Sequence, residues 1–474
     1  KEPATKAAAA AKRPRSENDI ATAEAVRRVL AVLDFAEDRS RNTERAAGKA
    51  YTVEFSCHKE LDATSPLLNQ HCCEGKVFPT ATITVTRNDA GVNLPLIVYS
   101  LTNAMISPSG SRAHTANTSS GARRSRTCPT SRGAGETVAV HEEIVLRKPF
   151  GQLKRFRRIR ADGREVEGQP RLLMVAPMSG HYATLLRGTV ERMLPGHDVY
   201  VTDWRDAKLV PLDEGGFDLD DYIDYLVEFL EAIGPGAHML AVCQPSVPAF
   251  AAACLMSADN HPSRPKTLTM MGGPIDTRKA PTEVNTVATQ RPFSWFEQNV
   301  IATVPYLYPG AGRKVYPGFL QLAGFMAMNF GNHMVSHWEM FRHLVEGDGE
   351  SAEATKDFYD EYRAVCDMTA EFYLQTVDVV FQRHALPKGE MTHRGRKVDP
   401  AAIEDIALLA IEGERDDISG VGQTKAALTI ATGLAADRKK YHLAKGVGHY
   451  GIFHGSKWRE KIAPILEDWI AAHD

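Results

Sequence analysis

Cys243, Asp416 and His449 follow one another along the chain in the order nucleophile, acid, histidine. A thiol attacks a carbonyl only as its thiolate, so it needs a base to take the proton and an acid to orient that base. Cys243 lies in HMLAVCQPSVPAF, where a short apolar run ends and a helix-forming stretch begins. Asp416 comes three residues after Gly413 in AIEGERDDISG, and His449 sits in the glycine-flanked YHLAKGVGHYGIF. Each fragment also has a plain structural reading. A free cysteine is ordinarily a buried small hydrophobe, Asp416 or Asp417 can cap a helix, and His449 can be a loop residue. Their shared order, each at the end of an apolar run, favours the catalytic reading. Ser246 is a rival nucleophile, but it follows a proline inside the helical stretch. His181 and His238 read as satisfied or exposed, and Cys254 and Cys366 as structural thiols. Asp203 and Trp204 end another apolar run, where they either line the site or cap.

An alternation of strands and helices, beginning near Glu136, has to position these residues. TVAVHEEIVLRKPFGQLKRFRR alternates like a hairpin. PRLLMVAPM and HDVYVTDW are continuous apolar runs of the kind that parallel strands buried on both faces show. FDLDDYIDYLVEFLEAIG reads as a helix capped by Asp218 with Asp221, and ended by Gly234. Its Leu219, Tyr222, Ile223, Leu226, Phe229, Leu230 and Ile233 make one wide apolar face. HMLAV is the next strand, SVPAFAAACLMSA a helix apolar nearly all round, KTLTMMGG a further strand and IEDIALLAIEGE a late one. The final helix carries Trp458, Ile462, Ile465, Leu466 and Trp469 at helical spacing. Such strand–helix–strand units are right-handed crossovers, so the fold class is α/β with a mostly parallel sheet.

In the α/β-hydrolase version of that architecture the nucleophile occupies a tight strand-to-helix turn, written G-x-S-x-G. The corresponding five residues are Ala241-Val242-Cys243-Gln244-Pro245. Alanine is small enough for the turn, and Pro245 suits a first helical turn, where its missing N–H costs nothing. The oxyanion hole then falls to the backbone N–H of Gln244 and to one from the loop APMSGHY. Met178 holds the donor position there, Ser179 is the fallback, and Pro177 cannot donate.

The 474 residues exceed one usual core. The expected division is a disordered tail and short helix (1–47), a small β-rich segment (48–108), a Ser/Gly/Arg linker (109–135) and the α/β domain (136–474). Residues 280–400 read as a helical insertion rich in aromatics and Met, suited to a lid or to ordinary helical core. A net charge of −3 gives no argument for nucleic acid or an acidic membrane surface. The longest apolar runs are too short to span a bilayer, and the basic N-terminal stretch has no leucine-rich h-region, so no secretory signal is expected. Seven scattered cysteines are not a disulfide framework, and Cys72-Cys73 lacks zinc-ligand spacing. A reducing cytosol is the expected compartment.

PRLLMVAPMSGHYATLLRGTVERMLPGHDVYVTDWRDAKLVPL, AVCQPSVPAFAAACLMSADN, TMMGGPIDTRKAPTEVN and AIEGERDDISGVGQT with GVGHYGIF together resemble intracellular polyhydroxybutyrate depolymerases, over about residues 136–474. The resemblance implies an α/β-hydrolase with a cysteine nucleophile, related to polyester synthases. It puts the nucleophile on Cys243, the acid on Asp416 and the base on His449, with a thioester acyl-enzyme between. It implies no metal or organic cofactor, and a cytoplasmic place on polyester granules. The expected partners are the polyhydroxyalkanoate granule surface and, in a homo-oligomer, a second copy of the chain, with no nucleic acid and no membrane insertion. Acyl transfer involving coenzyme A, as in a synthase or thiolytic enzyme, competes for the same thioester and stays open. Separately, FSCHKELDATSPLLNQHCCEGKVFPTATITVTR with YSLTNAMIS, within residues 48–108, resembles the tube-forming secreted protein of type VI secretion systems. That leaves open a secretion-associated fusion whose C-terminal domain is cargo.

Overall fold

Residues 1–122 and 123–474 form two separate units. The computed structural model describes residues 77–89, 92–105, 130–133, 136–178, 183–322 and 365–474. In the first unit, period-two alternation becomes an antiparallel pair, β1 (Val77–Asp89) against β2 (Val92–Met105), with a register shift at Val85/Thr86. The expected tail, the short helix and AYTVEFSC lie outside the described residues.

The second unit is built on a nine-stranded sheet. Its strands are β3 (Thr130–Gly133), β4 (Glu136–Lys148), β5 (Gly151–Ile159), β6 (Arg171–Val175), β7 (Asp198–Trp204), β8 (His238–Val242) and β9 (Thr267–Met271), and two more follow an insertion. That insertion contains a small three-stranded sheet, β10 (Ala302–Thr303), β11 (Lys314–Tyr316) and β12 (Met368–Thr369), and the hairpin β13 (Thr392–His393) and β14 (Arg396–Lys397). The main sheet then resumes with β15 (Ala407–Gly413) and β16 (Lys439–Ala444). β3 lies at the end of the stretch expected as linker, and it pairs with β4.

Across the main sheet the order is β16-β15-β9-β8-β6-β7-β5-β4-β3. Pairing is parallel from β16 to β7 and antiparallel from β7 through β5 and β4 to β3. This is the α/β-hydrolase fold. β8 and β9 are buried at every position and β6 at all but its first, as their continuous apolar sequences require. The chain leaves β6 for β7 on one side and crosses back to β8 on the other. In such open sheets the crevice outside the strands' carboxyl ends, at this switch of direction, is where ligands bind.

Three helices matter for the site: α1 (Arg187–Met193), α2 (Leu219–Ile233) and α3 (Ser246–Ala258). α2 begins in a reciprocal cap: Asp218 accepts from Asp221 N and Asp221 accepts from Asp218 N, both at 2.8 Å. It ends at Gly234, φ +89. Its predicted apolar face is buried, each large side chain contributing about 1.5–3 kcal/mol before conformational entropy is subtracted. α3 is buried from Ser246 to Ser257. Pro248 lies in its first turn, where backbone N–H groups have no intrahelical partner, so proline does not break it. No described helix is long and apolar enough to cross a membrane.

Candidate active site

Cys243 follows β8 directly and takes φ +68, the left-handed region that a residue with a Cβ enters only under constraint. The constraint is visible on both sides. Cys243 N donates to Met271 O at the end of β9 (2.7 Å), and Cys243 O accepts from Ser246 N at the start of α3 (3.0 Å). Pro245 is already in the right-handed helical region, and its carbonyl accepts from Ala249 N (2.9 Å). The thiol therefore stands on a sharp strand-to-helix turn, partly exposed, at the N-terminal end of a buried helix whose dipole favours negative charge.

Asp416 sits just past β15. Its Oδ1 accepts from Ile418 N (2.9 Å) and Ser419 N (2.8 Å), which leaves Oδ2 for His449 Nδ1 at 2.7 Å. Both side chains are buried. Cys243 is near enough for its charge to act on the other side of the His449 ring. Burial opposes charge on the ring. The charges of Asp416 and Cys243, with the hydrogen bond to Asp416, outweigh burial and hold the His449 pKa well above the ordinary imidazole value. The acid and histidine loops are tied together by Arg415 N to Val447 O (2.9 Å) and Glu414 N to Ala444 O (3.1 Å). The three candidates, about 170 residues apart from first to second, thus come together at the carboxyl ends of β8, β15 and β16, with Asp416 hydrogen-bonded to His449 and Cys243 acting on the same ring.

On the oxyanion side, Gln244 follows Cys243 and Met178 follows β6, the neighbouring strand. Among the described residues neither backbone N–H is taken up by a partner. Ser179 and His181 lie outside the described residues. Ser246, the rival nucleophile, is fully buried, and its Oγ has no hydrogen-bonding partner among the described residues, so no base reaches it. Cys254 and Cys366 are buried, and burial pushes both thiols well above their ordinary pKa. His238 is buried against Thr267 Oγ1 (3.0 Å). Asp203 is held by Gln152 (2.7 Å) and Lys154 (2.9 Å) on β5. Among the described residues no cluster of three His, Cys, Asp or Glu could hold a metal ion.

Two residues that support the site carry no sequence signal of their role. Gly272, φ +59, directly follows β9 and lies against the His449 ring. Glu412, buried within β15, accepts from Gly422 N, Lys425 N and Tyr441 Oη, each at 2.8 Å, and so braces the stretch that follows Asp416. A glycine pair after a strand reads equally as turn punctuation, and a lone glutamate in a strand reads as a solvent-facing position.

Comparison with known proteins places two family models on the chain. Residues 272–474 match the model described as PHB de-polymerase C-terminus, and residues 34–120 match the type VI secretion system effector, Hcp. None of the curated proteins matches the chain. Solved structures similar to it include a monoacylglycerol lipase from Paleococcus ferrophilus, 12% identical, covering 65% of this chain and 97% of that one with a TM-score of 0.38. A 2-hydroxy-6-oxo-6-phenylhexa-2,4-dienoate hydrolase from Rhodococcus sp. strain RHA1 is 13% identical and covers 71% of this chain and 100% of that one, TM-score 0.38. A meta-cleavage product hydrolase from Pseudomonas fluorescens IP01 is 13% identical and covers 73% and 98%, TM-score 0.35. The hydrolase fold and the depolymerase-domain match support an ester hydrolase.

Proposed function

We propose that the chain hydrolyses ester bonds of poly(3-hydroxybutyrate) and related short-chain polyhydroxyalkanoates, with Cys243 as nucleophile, His449 as base and Asp416 as orienting acid. The observation that carries this reading is the Asp416–His449 hydrogen bond beside Cys243 on its strand-to-helix turn, inside a chain whose residues 272–474 match the depolymerase model. His449 takes the thiol proton, and the sulfur adds to the ester carbonyl. The oxyanion is received by the Gln244 and Met178 N–H groups, and the C–O bond breaks as His449 returns the proton to the departing alcohol. This leaves a hydroxyacyl thioester on Cys243. His449 then draws a proton from water, the hydroxide adds to the thioester, and the thiolate leaves with the free acid released. Asp416 holds the ring's Nδ1 and balances its charge throughout. The steps draw on side chains, backbone and water alone. The working place of such an enzyme is the cytoplasmic surface of a polyester granule. Exposed Tyr306, Leu307 and Phe319 in the insertion support contact with an apolar polymer.

Intact mass after brief exposure to a short 3-hydroxybutyrate oligomer tests the reading. The expected result is one hydroxyacyl adduct, absent in Cys243→Ala, with free hydroxyacid accumulating. No adduct, together with undiminished turnover by Cys243→Ala, would refute it. Adding coenzyme A separates hydrolysis from acyl transfer by whether a hydroxyacyl-coenzyme A product appears. The match of residues 34–120 favours a second reading, in which the N-terminal unit assembles with a secretion apparatus and the hydrolase is its cargo. Rings or tubes of the full chain in electron micrographs would support it, and a monomer without assemblies would count against it.

A further inference from the structure

Resting on that reading of the site, we propose that Trp204, Tyr222 and Thr202 are positioning residues: they clamp the Ala176 peptide so that the Met178 N–H points at the oxyanion. Ala176 O accepts from Trp204 Nε1 at 2.8 Å and from Tyr222 Oη at 3.3 Å. Ala176 N donates to Thr202 Oγ1 at 2.9 Å. A carbonyl oxygen has two lone pairs and a residue one N–H, so all of Ala176's backbone capacity is engaged. The partners come from two elements, β7 and α2, whose Trp204 and Tyr222 rings pack at 4.3 Å between centroids. Ala176, Thr202, Trp204 and Tyr222 are all buried. Burial also keeps the Tyr222 hydroxyl protonated, and therefore a donor, by pushing its pKa well above the ordinary phenol value.

The consequence follows from backbone geometry. The peptide planes on both sides of Ala176 are fixed by these three bonds. The next residue is Pro177, whose ring locks φ near −65°. Only the ψ of Pro177 then separates the clamped carbonyl from the direction of the Met178 N–H. The Met178 side chain is fully buried in the core, which restrains that last rotation. A buried Trp and Tyr each need a hydrogen-bonding partner somewhere. Here both converge on one carbonyl, two residues before the donor, on a strand end that otherwise has a free rotation to lose.

A purely structural role would cost stability alone, so the test reads chemistry. Tyr222→Phe and Thr202→Val each delete one bond at nearly constant volume; Trp204→Phe deletes the shortest but opens a cavity, so it serves only if it melts normally. Hydrolysis of p-nitrophenyl butyrate gives kcat and KM, and iodoacetamide alkylation of Cys243 reports the thiol without forming an oxyanion. Losing an oxyanion donor outright costs about 10²–10³ in rate, and misaiming one is expected to cost about tenfold. The expected result is that fall in kcat, with KM and the alkylation rate unchanged in folded protein. Full kcat in both Tyr222→Phe and Thr202→Val overturns the clamp, and so does an alkylation rate that falls in step with kcat. If Cys243→Ala still turns over the ester, the proposed function itself fails. If Cys243→Ala is inert while the clamp variants keep full kcat, the clamp alone fails.

Discussion

Replacing Gly272 with alanine asks whether the His449 ring has any room to move. An ideal Cβ at Gly272 lies 2.9 Å from Ile452 Cδ1, 3.0 Å from His449 Cε1 and 3.1 Å from His449 Nδ1. Non-bonded carbons rest at about 3.5–4.0 Å. The end of Ile452 is flexible and can swing away, whereas the ring is tethered through Nδ1 to Asp416, whose other oxygen is held by two backbone N–H groups. The ring must therefore give by about 0.5 Å to restore normal contact. A misplacement of 1 Å costs about 10²-fold in rate, so half of that predicts a loss of about tenfold in kcat. The left-handed backbone at Gly272 adds a separate cost of about 1–2 kcal/mol in stability. Steady-state hydrolysis of p-nitrophenyl butyrate, run beside a circular-dichroism melt, separates the two effects. Gly273→Ala is the control for folding: its Cβ would lie 2.1 Å from Ser246 Oγ and 2.2 Å from Ser246 Cβ, against the helix start itself. That variant should fail by unfolding. A folded Gly272→Ala protein with unchanged kcat would refute the reasoning.

Asp416→Asn keeps the acceptor for Ile418 N and Ser419 N but removes the charge that faces His449; kcat is expected to fall by about 10²–10⁴. Because that charge raises the ring's pKa, an NMR titration of His449 in the variant should move to lower pH, and an unmoved titration would count against the pairing. Burial, ahead of the opposing pull of Asp474, brings the His238 pKa down to about 4. Above about pH 6.5 its ring is neutral in both states. Between that pH and about 4 only the unfolded chain takes the proton, so stability falls as pH falls, by up to about 3 kcal/mol. Urea unfolding at pH 7 and pH 4.5 should show a loss smaller by about 2 kcal/mol in His238→Gln, and equal losses would rule the ring out as the cause.

Helix α2 is legible in the sequence because every local signal agrees: a reciprocal aspartate cap, one apolar face and a glycine stop. The continuous apolar strands are legible for the same reason, since full burial leaves them no alternation to show. Strand order is not, because nothing local to HMLAV says that it crosses back over β6 to its far side. β3 is hidden too: Thr-Ser-Arg-Gly has no strand signature, and its place comes from the edge that β4 offers. At the candidate site, the order Cys243, Asp416, His449 and their strand-end positions can be read from the chain. That Asp416, not Asp417, faces the ring is a matter of how the loop after β15 turns, and Glu412 governs that turn through three bonds to residues 10 to 29 positions away. Trp204 reads as a site-lining or capping residue, while its indole reaches back to Ala176, just past the neighbouring strand β6. Such bonds link residues far apart in sequence and leave no periodic trace.

The turn at Cys243 sets the interests of the fold against those of its chemistry. A residue with a Cβ held at φ +68 carries about 1–3 kcal/mol of strain, and glycine would occupy the same turn freely. Any engineering campaign that ranks variants of this protein by melting temperature alone would therefore promote Cys243→Gly, and would discard the thiol before any other group at the site.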